Sequence, residues 1–182
     1  MLQKRQLDEL TKFMVKQGKM LCITREMIDR ITIETAADLR LTFPSHTCQL
    51  ELIRRVTQQI LNFSGSFSEN EREDIGLAID EACTNVIVHS YGVNGNGVIQ
   101  VEFKIQCDRI TIILTDMGEQ GCDFNPDTLS RLDREKYFIR LKKGGLGVHL
   151  IKKIMDIVEY TVSPGVKNCL KMVKYMKPAR TG

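Results

Sequence analysis

Ile99, Val101, Phe103 and Ile105 alternate without a break with Gln100, Glu102, Lys104 and Gln106. No other stretch constrains the fold as strongly. A period of two puts the apolar side chains on one face of a strand and the polar ones on the other. Such a strand belongs to a sheet covered on one side and wet on the other. Asn94-Gly95-Asn96-Gly97, just before it, is a strong turn signal. Asp108-Arg109 turns the chain into a second strand, Ile110 to Thr115. Leu39, Leu41 and Phe43 repeat the alternation and stop at Pro44. Two more strands are expected around Val158–Val162 and Leu170–Tyr175, joined at Ser163-Pro164-Gly165.

The apolar face needs a cover, and three helical patterns supply it. Leu50, Ile53, Val56, Ile60 and Leu61 share one helical face, with Ser45 as the expected cap. Ser68-Glu69-Asn70-Glu71 is a capping box that opens a helix running to about Tyr91. A third helix begins near Leu146 with Val148, Leu150, Ile151, Ile154 and Met155. With 182 residues and 42% hydrophobic content there is material for one core. The expected fold is an α+β two-layer sandwich, a mixed, mostly antiparallel sheet with helices on one face. Residues 1–36 are read apart from the domain at 37–182. Leu7, Leu10 and Met14 share one helical face, as do Met20, Ile23, Met27 and Ile31, with Gly18 between them. This helical arm either packs on its own domain or makes a dimer or partner contact.

Charge and cysteine usage exclude several classes. Lys and Arg total 26 against 23 Asp and Glu, and the net charge of +3 is too slight for general nucleic-acid or membrane binding. No apolar run reaches the ~18 residues of a membrane span, and MLQKRQLDEL lacks the apolar core of a signal peptide. The six cysteines contain no C-x-x-C pair, which argues against a zinc ribbon or a thioredoxin motif. A cytoplasmic protein with reduced thiols is expected.

Three features stand out against this framework. Glu81, Asn85 and His89 form a stripe on the second helix, drifting only ~40° per step. The stripe lies between Leu77 and Val88 on one side and Ala78, Ile79, Ala82 and Val86 on the other. A carboxylate and an amide there either reach water at a partly exposed face or serve a site. Asp116 continues the alternation of Ile110, Ile112 and Leu114, so its side chain is expected on the apolar face. There it either accepts from a ligand donor or is an ordinary turn Asp before Gly118. Gly144-Gly145-Leu146-Gly147 opens a helix whose first N–H groups suit a phosphate. It is neither a P-loop nor a G-x-G-x-x-G turn. From Asp127 to Lys143, six basic residues (Arg131, Arg134, Lys136, Arg140, Lys142, Lys143) face three acidic ones, a local excess equal to the net charge of the chain.

In their order, Asp80 to Tyr91 (DEACTNVIVHSY), Asp116-Met117-Gly118 and Gly144 to Asp156 (GGLGVHLIKKIMD) resemble the three boxes of the Bergerat ATP-binding fold. The nearest resemblance is to the anti-sigma-factor serine/threonine-protein kinases, over about Leu39 to Met176. It implies an ATP-dependent protein kinase. Asn85 would coordinate Mg²⁺ bridging the ATP phosphates, and Glu81 would be the general base. Asp116 would accept from the adenine amino group, with Gly118 leaving room for the base. Gly144, Gly145, Leu146 and Gly147 would hold the phosphates. Asp127 to Lys143 would be a lid, with Arg131, Arg134 or Arg140 as γ-phosphate contacts. His89 matches the usual helix ending, with only a structural or weak polar role expected.

The resemblance further implies an anti-anti-sigma (STAS-type) partner phosphorylated on a hydroxyl, a sequestered sigma factor and a homodimer, with no direct contact to nucleic acid. The chain departs from the family in a longer stretch from Gly118 to Phe124 and in its N-terminal arm. Cys83 and Cys122 fall near the proposed site, with buried free thiols as their ordinary reading. The main alternative is a non-catalytic, ATP-dependent partner-binding module. A gyrase-type ATPase is disfavoured because no transducer domain is expected after Gly182. A sensor histidine kinase is disfavoured because no dimerisation helix with an acceptor His precedes the domain.

Overall fold

The alternation of Ile99 to Ile105 is realised as a strand whose inward residues are all buried beneath a helical layer. A computed structural model describes residues 4–20, 32–33, 38–91, 97–118, 146–161, 163 and 166–176. The elements are α1 (Lys4–Met20), β1 (Thr32–Ile33), β2 (Asp38–Pro44), α2 (Leu50–Ser64), α3 (Glu69–Asn85), β3 (Val98–Ile105), β4 (Arg109–Asp116), α4 (Leu146–Ile154), β5 (Ile157–Thr161) and β6 (Asn168–Tyr175). They form a six-stranded sheet in the order β1-β2-β3-β4-β6-β5. Every pairing among the described residues is antiparallel, the limiting case of the mostly antiparallel sheet expected.

Leu41, Ile99, Val101, Phe103 and Ile112 meet Ile53, Val56, Ile60, Ile75 and Ile79 of the helices in one core. Gln100, Glu102 and Lys104 stay half-buried on the opposite face. The helices pack in sequence, α2 on α3 and α3 on α4. The arm adds a further helix to this layer. Leu10 and Met14 of α1 are buried in the core, Gln6 donates to the Phe63 carbonyl (3.2 Å), and Arg55 donates to Gln17 Oε1 (2.8 Å). That face of α1 therefore packs on its own chain; residues 21–31, with the second half of the arm, lie outside the described residues.

Two local expectations change. Ser45 does not cap α2. His46 Nδ1 accepts from Cys48 N to open the short 3₁₀ turn Thr47–Gln49 that leads into α2. The Ser45 hydroxyl instead accepts from Gly97 N (2.8 Å), while Ser45 N donates back to Gly97 O (2.8 Å). The capping box forms as expected, with Ser68 Oγ accepting from Glu71 N and Glu71 accepting from Ser68 N. The helix it starts is not α-helical to Tyr91, however. It is α to Asn85 and then widens into a π-helical segment, Val86–Tyr91. The 3.6-residue period behind the Glu81–Asn85–His89 stripe thus ends before His89, whose side chain lies outside the described residues.

Candidate nucleotide site

Three elements converge where α3 ends. Glu81 and Asn85, one turn apart on α3, are both half-buried. Leu77 and Val88 beside them are 42% and 41% exposed, whereas Ala78, Ile79, Ala82 and Val86 are buried. The two polar side chains therefore run along the boundary between core and surface. Gly147, in the first turn of α4, sits directly over them. A Cβ built on Gly147 would lie 2.3 Å from Glu81 Oε2 and 3.4 Å from Asn85 Nδ2. No side chain larger than hydrogen fits at 147 without displacing the carboxylate. The start of α4, with its unpaired N–H groups, is thereby held against a carboxylate and an amide.

The second part of the site lies at the end of β4. Asp116 is 2% exposed, and its Oδ1 accepts from Gly118 N (2.9 Å) and from Asn168 Nδ2 (3.0 Å). Asp116 makes the turn bond of an ordinary Asp, and it does so facing the core, as the alternation predicts. Gly118 packs on the π-helical segment, where an added Cβ would come within 2.5 Å of Ser90 Cβ and 2.7 Å of the Ser90 carbonyl. Backbone cannot yield as a side chain does, so glycine is required for this approach.

Asn168 escaped the sequence reading. It is fully buried, pairs in register with Asp116, also donates to Gly118 O (3.2 Å), and accepts from Ser163 N (3.2 Å). A signal was present: Asn168 continues the buried alternation of Leu170 and Met172 as Asp116 continues that of Ile112 and Leu114. The π-helical segment is the join between the two halves, since Ser90 meets Gly118 at one end and Asn85 leads into it at the other. Widened turns of this kind recur at functional sites.

Asp80, next to Glu81, points elsewhere. Its Oδ2 lies 3.4 Å from Arg54 Nη1 of α2, while Oδ1 is buried without a hydrogen-bond partner among the described residues. Burial, with smaller contributions from the Glu51 and Glu81 carboxylates, pushes its pKa from 3.8 up to about 6 despite Arg54. The folded chain thus holds this proton more tightly than the unfolded one, and stability attributable to Asp80 falls as pH rises from about 4 to about 6. In thermal unfolding, Asp80→Asn is expected to remove that component, so its melting temperature relative to wild type climbs across this window. A constant difference across it would refute the assignment. Burial also pushes the Cys83 thiol far above its ordinary range, which leaves it protonated and inert.

Residues 43–174 match the model of the histidine kinase-like ATPase domain. The serine-protein kinase RsbW of Halalkalibacterium halodurans is 34% identical over 140 residues, covering 76% of this chain and 83% of that protein. The Staphylococcus aureus protein of the same name is 30% identical over 141 residues, covering 76% of this chain and 87% of its own length. The chain belongs to the anti-sigma-factor kinase family.

The matched region starts at the end of β2, so α1 lies outside it. Membership in this ATPase and kinase family implies ATP binding. Among the sequence-selected residues, Glu81, Asn85 and Gly147 come together, as do Asp116 and Gly118, with Leu146 opening α4. Gly144, Gly145, Arg131, Arg134 and Arg140, with Cys122, the lid and the longer stretch after Gly118, lie outside the described residues. No described helix is long and apolar enough to cross a membrane.

Proposed function

We propose that this chain is an ATP-dependent serine/threonine-protein kinase of the anti-sigma type, phosphorylating a hydroxyl of an anti-anti-sigma partner and sequestering a sigma factor. The observation that carries the reading is the position of Gly147 over Glu81 and Asn85. It brings a base, an amide oxygen donor and a helix N-terminus to one place. In the reaction, Glu81 takes the proton of the attacking hydroxyl as its oxygen bonds the γ-phosphorus. The bond from that phosphorus to the β–γ bridging oxygen breaks, and ADP leaves. Asp116 receives the adenine amino group through Oδ2, since Oδ1 already accepts from Asn168 and Gly118.

The donors suit Mg²⁺. No cluster of three His, Cys, Asp or Glu side chains occurs among the described residues. An ion held through Asn85 would draw its remaining ligands from phosphate oxygens and water, as Mg²⁺ commonly does. When bound, it would neutralise phosphate charge. Arg131, Arg134 or Arg140 would add a cation at the γ-phosphate from the lid. The homodimer, the cytoplasmic location and the division at residue 36 belong to the same proposal.

The test is calorimetry with Mg-ATP and Mg-ADP, followed by phosphate transfer to a purified anti-anti-sigma protein. Binding with transfer is expected. Binding without transfer to any anti-anti-sigma or co-purifying protein would leave the non-catalytic module. Failure to bind either nucleotide would overturn both readings.

Gly147→Ala gives a prediction specific to this geometry. Its Cβ meets the mobile end of Glu81, so the chain is expected to fold while the carboxylate is pushed aside. Misplacing a reacting group by about 1 Å can cost on the order of 10²-fold. Transfer measured at saturating ATP should fall by about that factor; an unchanged rate would show that Glu81 is not held beneath position 147.

A further inference from the structure

The segment that joins the two halves of the site ends in Tyr91, a residue with no role in the reading above. Its hydroxyl accepts from Met117 N (2.9 Å) and donates to Val98 O (3.2 Å). One phenol therefore ties the end of the π-helical segment to the first residue of β3 and to the residue between Asp116 and Gly118. Its ring has a fixed seat. A Cβ on Gly97 would fall 2.2 Å from ring carbon Cε1, and Gly97 is itself clamped by reciprocal bonds to Ser45. The Asp116–Gly118 turn is thus held from two directions, by Asn168 from β6 on the core side and by Tyr91 from the helix on the outer side.

From this geometry we propose that Tyr91 is a positioning residue for base recognition. Its hydroxyl holds Met117 so that Asp116 presents its carboxylate to the amino group of a purine. The proposal rests on the nucleotide reading given above. It concerns the base end of the site alone; the phosphate end, at Glu81, Asn85 and Gly147, shares no described hydrogen bond with Tyr91. Loss of the hydroxyl should therefore affect discrimination of the amino group more than it affects binding of a triphosphate as such.

The experiment compares Mg-ATP with the triphosphate of purine riboside, which lacks the 6-amino group, by calorimetry on wild type, Tyr91→Phe and Gly97→Ala. Wild type should prefer ATP. Tyr91→Phe keeps the ring and removes the hydroxyl, and with it the bond to Met117 N and the bond to Val98 O. A net hydrogen bond of ordinary strength corresponds to about five-fold in affinity. ATP binding should weaken by about that factor while the analogue binds as before, so selectivity narrows. Gly97→Ala keeps the hydroxyl but forces the ring from its seat, and should narrow selectivity likewise. A purely structural role would leave the ratio of the two affinities unchanged. That result in both variants, with wild type still preferring ATP, overturns the role of Tyr91 and leaves the nucleotide reading standing. A wild type that binds neither triphosphate, or does not distinguish them, overturns the assignment of Asp116 and this proposal with it.

Discussion

Replacing Glu81 with alanine is expected to abolish measurable phosphate transfer while leaving Mg-ATP binding within a few-fold of wild type. A positioned general base contributes about 10²–10⁴-fold, and the carboxylate nearest Gly147 is that of Glu81. Asp80 is adjacent in sequence but turned to Arg54 on α2, so it does not substitute. Truncation at 81 also removes the group closest to Gly147 and loosens the packing there without exposing a core position, because Glu81 is already half-buried. The variant should therefore stay folded. The measurement is transfer to the partner protein with nucleotide binding followed in parallel. Transfer at the wild-type rate would show that Glu81 is not the base; loss of binding and transfer together would show that it holds nucleotide instead.

The second large effect is expected at Asp116, where two variants separate stability from recognition. Asp116→Ala removes the acceptor of Gly118 N and of one Asn168 bond at a fully buried position. A buried donor left unmatched costs about 1–3 kcal/mol, so this variant should lose both ATP binding and thermal stability. Asp116→Asn keeps an oxygen for Gly118 and Asn168 but turns an N–H₂ group toward the ligand. Donor then faces donor at the adenine amino group. ATP affinity should fall about 10–100-fold with the melting temperature near wild type. Calorimetry and thermal unfolding on the two proteins decide it. An Asp116→Asn protein that binds ATP as wild type does would remove Asp116 from base recognition and leave it a structural role.

The strand pattern was legible because each sheet residue reports its own face. Ile99 to Ile105, Ile110 to Asp116 and Leu39 to Phe43 alternate, and their burial follows that alternation except at Thr111, which is buried between Ile110 and Ile112. The capping box at Ser68 was legible for a similar reason, since its donors and acceptors lie within four residues. The candidate site residues were legible as three separate boxes. Their spatial meeting was not, since Gly147 lies 66 residues along the chain from Glu81 and only folding brings α4 onto α3. Ser45 misled for the same reason. A serine before a helical pattern is a good cap by local rules, yet Gly97 competes for its hydroxyl from 52 residues away and takes it.

What the sequence determined by itself is therefore whatever depends on near neighbours: the alternation that makes the sheet, the capping box that starts α3, and the candidate site residues in their order. Tertiary structure alone decided the partners. It set Asn168 against Asp116 across two strands, Ser90 against Gly118, Tyr91 between Val98 and Met117, and the widening of the helix after Asn85. The physical reason is that a polar group's local alternatives are few and readable from spacing. Its long-range partner depends on which strands and helices pack together, a property of the whole core that no short stretch of chain contains.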